Sequence, residues 1–215
     1  MRAGALEKIR TPQLDSAQIR SRARILLIDD DKFSYDQLFR VRDGYRLEKW
    51  SQLKNLVELQ DGTYDLIILD YYGVAPKSAP TDEGLAILRS IKKARPEQLV
   101  LAYSGQALGL QSSEFISLAD DVVSKSEDYP VFQSKVDQLL RKRYSVGHYV
   151  ALMNQALDED ALRVPKFVPR VITAISRGDT TKLRRYLERN DITVEQIDRV
   201  LSLTKNAISI VALLA

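Results

Sequence analysis

Four short apolar runs in this chain each stop at a polar residue, and helix-length amphipathic segments separate them. Arg24-Ile-Leu-Leu-Ile28 runs into Asp29-Asp30-Asp31, and Asp65-Leu-Ile-Ile-Leu69 into Asp70. Leu99-Val-Leu-Ala-Tyr103 runs into Ser104, and Asp121-Val-Val-Ser124 into Lys125. Runs this short, apolar at successive positions, suggest strands covered on both faces, as in a parallel sheet. Side chains just past the carboxyl ends of such strands gather on one edge, where open α/β sheets keep their sites. Three carboxylates, a hydroxyl and an amine are therefore expected to meet in one acidic pocket.

Between these runs the spacing predicts a helix over Lys32–Val41, a turn at Asp43-Gly44 and a short strand over Tyr45–Trp50. Ser51 is placed to cap a helix through Gln60, with Leu53, Leu56, Val57 and Leu59 on its apolar face. A long loop follows Asp70, and Thr81 or Asp82 opens a helix to Ala94 that carries Leu85, Ile87, Leu88 and Ile91. A weaker helix near Ser113–Leu118 precedes the run to Lys125. Tyr129-Pro130 then opens a helix to Arg143 with Val131, Phe132, Val136, Leu139 and Leu140 inward.

The pattern gives an α/β domain over 24–143, a five-stranded doubly wound parallel sheet, after a polar, basic arm over 1–23. From Tyr144 to Ala215 no run reads as a strand. Helices are expected near Val146–Leu157, Phe167–Arg177, Thr180–Arg189 and Thr193–Leu214, forming a small all-α domain over 144–215.

Composition excludes some chemistry. The chain has no cysteine, so no disulfide and no thiolate metal site, which fits a reducing cytoplasm. Its single histidine, His148, lies outside the pocket segments, which sets aside histidine metal sites and Ser/His catalysis. No apolar run approaches the roughly 18 residues of a membrane span, and the first residues lack a signal-peptide core.

Adjacent carboxylates at the end of one strand and another at the end of a second make a hard, oxygen-rich site suited to Mg²⁺. Without a cation, that much negative charge in one cleft resists ionisation. With a cation and a nearby ammonium, a carboxylate can accept a phosphoryl group, because the charge on the transferring oxygens is neutralised. Ser104 can donate a hydrogen bond to a phosphoryl oxygen, Gly105 leaves room for it, and Lys125 is the ammonium.

Over roughly half its length the chain resembles the receiver domain of two-component response regulators. The matches are Ile28-Asp-Asp-Asp31, Leu69-Asp70, Glu83-Gly84-Leu85, Tyr103-Ser-Gly105 and Ala119-Asp-Asp-Val-Val-Ser-Lys125. The resemblance implies a flavodoxin-like fold, Asp70 as phosphoacceptor, and Asp29 and Asp30 as Mg²⁺ carboxylates. It also implies Ser104 as switch hydroxyl, Lys125 as phosphate-binding amine and the Tyr72 main-chain carbonyl as a further metal ligand. The implied partner is a histidine kinase or another phosphodonor. The implied role is that of an acceptor, not an enzyme beyond self-dephosphorylation.

Three positions depart from the family pattern. Ser126 stands where a proline usually follows the lysine, Val122 where an aromatic switch residue is common, and the loop between Asp70 and Gly84 is longer. Tyr72 is placed to shield a phosphoryl group from water. These departures keep open a pseudo-receiver that only docks a partner. Asp29-x-Asp31 with Ser104 and Lys125 also resembles haloacid-dehalogenase-type phosphatases, with Asp29 as nucleophile and Asp31 as acid/base. That reading leaves Asp70 without a role.

In the last segment, Thr193–Ser209 resembles a helix-turn-helix with Ile197, Leu201, Leu203 and Ile208 at core spacings. Such a motif binds DNA, with Arg184, Arg185 and Arg189 as phosphate contacts. Ile210-Val-Ala-Leu-Leu214 offers almost nothing to base edges. The apolar stripe fits a homodimer or a helical protein partner instead.

Overall fold

The computed structural model describes residues 14–75, 83–105, 113–157 and 164–214. Most of the expected basic arm, the loop residues 76–82 with Thr81 and Asp82, and the loop 106–112 lie outside the described residues. The chain divides into two compact units, Asp15–Arg143 and a second that runs on from Tyr144.

The first unit contains α1 (Ser16–Arg22), β1 (Arg24–Ile28), a π-helical turn (Leu38–Arg42), β2 (Arg46–Trp50), α2 (Leu56–Gln60) and β3 (Leu66–Leu69). It continues through α3 (Glu83–Ala94), β4 (Val100–Ser104), α4 (Ser113–Leu118), β5 (Asp121–Ser124) and α5 (Tyr129–Arg143). All neighbouring strands are parallel, in the order β2-β1-β3-β4-β5. The apolar runs are buried almost end to end, with Leu26, Leu27, Ile67, Ile68 and Leu101 at 0% exposure. That is what a sheet covered on both faces requires.

One face packs Leu26, Ile28, Ile67, Leu69 and Val100 against Leu85, Leu88 and Ile91 of α3 and Phe115 of α4. Burying a side chain of this size contributes roughly 1.5–3 kcal/mol. Toward α5, Tyr103 meets Phe33 and Phe132, and both of those touch Phe39. The short helix α1 opens with an Asp15–Gln18 capping box. Arg20 fixes it to α5 through both carboxylate oxygens of Asp137.

Local details differ from the sequence expectations. The helix expected over Lys32–Val41 is shortened to a helical segment over 36–42, because Phe33 is drawn into the aromatic cluster at 4% exposure. α2 starts at Leu56, capped by the Asn55 side chain on Val57 N (3.1 Å) and Glu58 N (3.4 Å). Ser51 is not its cap, because Leu53 N is bound to Val74 O at 2.8 Å. Val57 and Val131, both expected inward, are exposed.

The second unit contains α6 (Val146–Leu157), α7 (Phe167–Arg177), α8 (Thr181–Glu188) and α9 (Val194–Leu214). Its core gathers Met153, Val171, Leu187, Val200, Leu203 and Ala207. Gly178 ends α7 in the left-handed region (φ 65°), its N–H donating to Ala174 and Ile175 carbonyls. α9 is one uninterrupted helix of 21 residues. This corrects the helix-turn-helix expectation: no Gly or Pro interrupts 193–214, and the motif's turn is absent. Ile197, Leu201 and Leu203 are buried as expected, but from a single helix. Among the described residues, no helix is long and apolar enough to cross a membrane.

Candidate functional site

The strand order dictates where a site can form. From β1 the chain goes first to one side, to β2, and then to the other, to β3, so a crevice opens between the carboxyl ends of β1 and β3. Ile28 pairs with Leu69 across that gap, so the residues that follow, Asp29 and Asp70, emerge side by side. Ser104 ends β4 and Lys125 follows β5, its N–H bound to Ser104 O at 3.0 Å.

The structure brings Asp29, Asp30, Asp31, Asp70 and Lys125 together. Lys125 Nζ lies 2.7 Å from Asp70 Oδ2, 2.9 Å from Asp29 Oδ1 and 3.0 Å from Asp31 Oδ2. Asp29 and Asp70 are buried, at 1% and 4% exposure, while Asp30 and Asp31 are exposed. Asp29 Oδ1 also accepts from Asp31 N at 2.9 Å, and Asp70 Oδ1 from Tyr71 N at 2.7 Å. These backbone bonds fix each carboxylate and leave Asp70 Oδ2 facing the ammonium. Ser104 Oγ is buried with no hydrogen-bond partner among the described residues. A buried hydroxyl without a partner is costly, and a phosphoryl oxygen is the kind of acceptor that would satisfy it.

Two glycines make this packing possible. A Cβ on Gly84 would lie 2.2 Å from Asp70 O and 2.9 Å from Tyr71 Cα, so only glycine lets α3 start so close to the end of β3. A Cβ on Gly73, which sits at φ 72°, would lie 2.2 Å from Asp30 Oδ2. The sequence reading matched Gly84 to a family pattern without giving it a role, and it missed Gly73. The signal for Gly73 was its place three residues after Asp70. Asp31 was given a role only in the phosphatase-type alternative, as acid/base, yet it shares Lys125. Tyr72 is half exposed, its ring packed edge-on against Tyr71 with centroids 4.6 Å apart. Val122 is half-buried against the core, and no aromatic stands at that position.

Burial raises the pKa of Asp70, and the Lys125 ammonium only partly opposes it. Burial alone would depress Lys125, but the hydrogen bonds it donates to Asp70, Asp29 and Asp31 outweigh it and raise its pKa. A carboxyl raised in the folded state stabilises the fold below the unfolded carboxyl pKa of about 3.9, and loses that contribution as pH rises through the folded value. Ionised Asp70 is therefore a liability near neutrality. Asp70→Asn is expected to increase stability there by roughly 1 kcal/mol, since Lys125 keeps Asp29 and Asp31. The gain should vanish below a pH of about 4. Urea unfolding of both proteins at the two pH values checks this, and a gain that persisted in acid would contradict it.

Oxygens of Asp29, Asp30, Asp31 and Asp70 lie within 4.8 Å of one another. This all-oxygen donor set fits a hard divalent ion such as Mg²⁺.

No family model matches the chain, and no curated protein matches it. Among solved structures it is similar to receiver domains. A CheY-like response regulator receiver domain protein from Methanospirillum hungatei JF-1 is 22% identical, with 56% of this chain and 95% of that one covered and a TM-score of 0.46. The signal receiver domain of a putative Luxo repressor protein from Vibrio parahaemolyticus is 18% identical, with 57% and 92% covered and a TM-score of 0.45. A response regulator from Thermotoga maritima is 16% identical, with 55% and 97% covered and a TM-score of 0.45. At such identities the likeness is one of fold. By its own strand order, the first unit is a doubly wound parallel sheet of the flavodoxin-like type.

Proposed function

We propose that residues 24–143 act as a receiver-type phosphoacceptor module, taking a phosphoryl group onto Asp70 from a histidine kinase or another phosphodonor. The observation that carries this reading is the pairing of Asp70 Oδ2 with Lys125 Nζ at 2.7 Å, with Ser104, whose hydroxyl has no partner among the described residues, bound to Lys125 through the main chain. Asp70 Oδ2 attacks phosphorus, and the bond from phosphorus to the donor nitrogen or oxygen breaks, its electron pair leaving with the donor. The Lys125 ammonium faces the charge that collects on the phosphoryl oxygens, and the Ser104 hydroxyl donates to one of them. Burial makes the Asp70 carboxylate more basic, hence a better nucleophile.

Asp29 and Asp30, with Asp70 and the Tyr72 carbonyl, would hold Mg²⁺. Its chemistry there is to neutralise phosphoryl charge. The chain serves as an acceptor with self-dephosphorylation, not as an enzyme that turns over a separate substrate. With Val122 at the usual aromatic position, the response to phosphate runs through Ser104 and not through an aromatic rotamer.

Incubation with acetyl phosphate and Mg²⁺, followed by intact mass, tests the reading. One added phosphoryl group is expected on the wild type and none on Asp70→Asn. A modified Asp70→Asn protein, or an unmodified wild type, would refute it.

A further inference from the structure

The net charge of +3 hides a strong segregation. Between Lys166 and Arg189 there are seven cations and two acids, so this segment carries +5 and all other residues together −2. Five of these cations are exposed on α7, α8 and the residue that ends α8. In α7, Arg170 and Arg177 are one heptad apart, and so are Lys182 in α8 and Arg189, the residue that caps its end, with Arg185 between them. At 3.6 residues per turn the α7 pair forms a stripe beside the buried Val171 and Ala174, and the α8 set lies on the side turned away from the buried Leu183 and Leu187. Arg170, Arg177 and Lys182 line one cleft of about 160 Å³, with Ala174 and Leu183 in its floor.

All five cations are exposed, and none makes an ion pair among the described residues. Asp179 also lines the cleft, but its Oδ1 is taken by Thr181 N (2.8 Å) and Thr181 Oγ1 (2.7 Å). Arg184 lies on the opposite flank, paired with Asp198 at 2.8 Å, which removes it from the phosphate contacts expected from the sequence. Arg170 is held over the Tyr186 ring at 4.0 Å, so its guanidinium is ordered before any ligand arrives.

We propose that the α7–α8 flank binds the phosphate backbone of duplex DNA without reading sequence. Paired arginine-rich stripes match a row of phosphates. Thr173 is the remaining polar residue lining the cleft, and its hydroxyl already donates to Pro169 O at 2.8 Å, so no amide side chain stands beside the cations to select a base. Single-strand binding needs an open aromatic platform, and the Tyr186 ring is already covered by Arg170. This proposal does not rest on the phosphoacceptor reading.

The test is fluorescence anisotropy of the full chain with a short labelled duplex, titrated across salt, with labelled polyglutamate as second probe. Five phosphate contacts predict a log–log salt slope of about −4.5. Arg177→Ala with Arg185→Ala should reduce the slope by about 2. Lys93→Ala with Lys205→Ala, which removes the same charge at exposed positions on α3 and α9, should leave it unchanged. No duplex binding at low salt would overturn the proposal, as would polyglutamate binding as tightly as duplex, or equal effects of the two double variants.

Discussion

Replacing Lys125 by methionine is expected to remove about 3 kcal/mol of stability near neutrality when no divalent ion is present. The side chain is 17% exposed, and its ammonium holds Asp29, Asp31 and Asp70 together. Without it, two buried carboxylates face each other uncompensated, which is far worse than losing an exposed ion pair. The sign with pH follows. In the wild type, Lys125's raised pKa gives a contribution fully present below the unfolded lysine value of about 10.4 and lost above the folded one. In the variant, the Asp70 pKa, already raised by burial, rises further, so the deficit appears as pH climbs above about 4 and is small below it. Mg²⁺ should restore more stability to Lys125→Met than it adds to the wild type, because the ion takes over the missing neutralisation. Thermal unfolding across pH, with and without Mg²⁺, reads all three effects. A variant as stable as the wild type at neutrality would mean that the acidic cluster is not held by this ammonium.

Gly84→Ala is the second large effect. The added methyl would lie 2.2 Å from the Asp70 carbonyl and 2.9 Å from Tyr71 Cα, and both neighbours are main chain with little freedom to retreat. Either α3 shifts as a body or the end of β3 does, and each disturbs Leu85 and Leu88, which are buried against the sheet. Overpacking of this kind costs about 3 kcal/mol. Because Gly84 N is bound to Tyr71 O at 2.9 Å, the shift also reaches the Asp70 backbone, so phosphoryl acceptance should fall together with stability. Urea denaturation and acetyl phosphate labelling of one preparation check both. Unchanged stability would show that α3 does not depend on so close an approach.

The parts legible in the sequence were those governed by one dominant force. Short runs such as Leu66–Leu69 are buried on both faces, so hydrophobicity alone located the strands, and the residues that follow inherited their place from topology. The helices of the second unit were legible because Gly178, Pro165 and Asn190-Asp191 punctuate them. The illegible parts were decided by tertiary contacts that local pattern does not carry. Lys32–Val41 has helical spacing, but burial of Phe33 among Phe39, Tyr103 and Phe132 outweighs one turn of helix. Ser51 and Asn55 are both good caps, and the bond from Leu53 N to Val74 O decides for Asn55. The helix-turn-helix expectation gave side-chain spacing more weight than the lack of any breaker in 193–214, and one continuous helix satisfies that spacing too. Within the site, all four candidate side chains at strand ends were legible, whereas the requirement for glycine at 73 and 84 arises from chain crossings that no local pattern shows.

Fluorine NMR of beryllofluoride with the full chain measures most directly whether Asp70, Ser104 and Lys125 form a phosphoryl site. Bound fluoride resonances are predicted for the wild type when Mg²⁺ is present, weakened in Ser104→Ala and absent in Asp70→Asn. Bound resonances persisting in Asp70→Asn, or none in the wild type at saturating Mg²⁺, would contradict a phosphoryl site centred on Asp70.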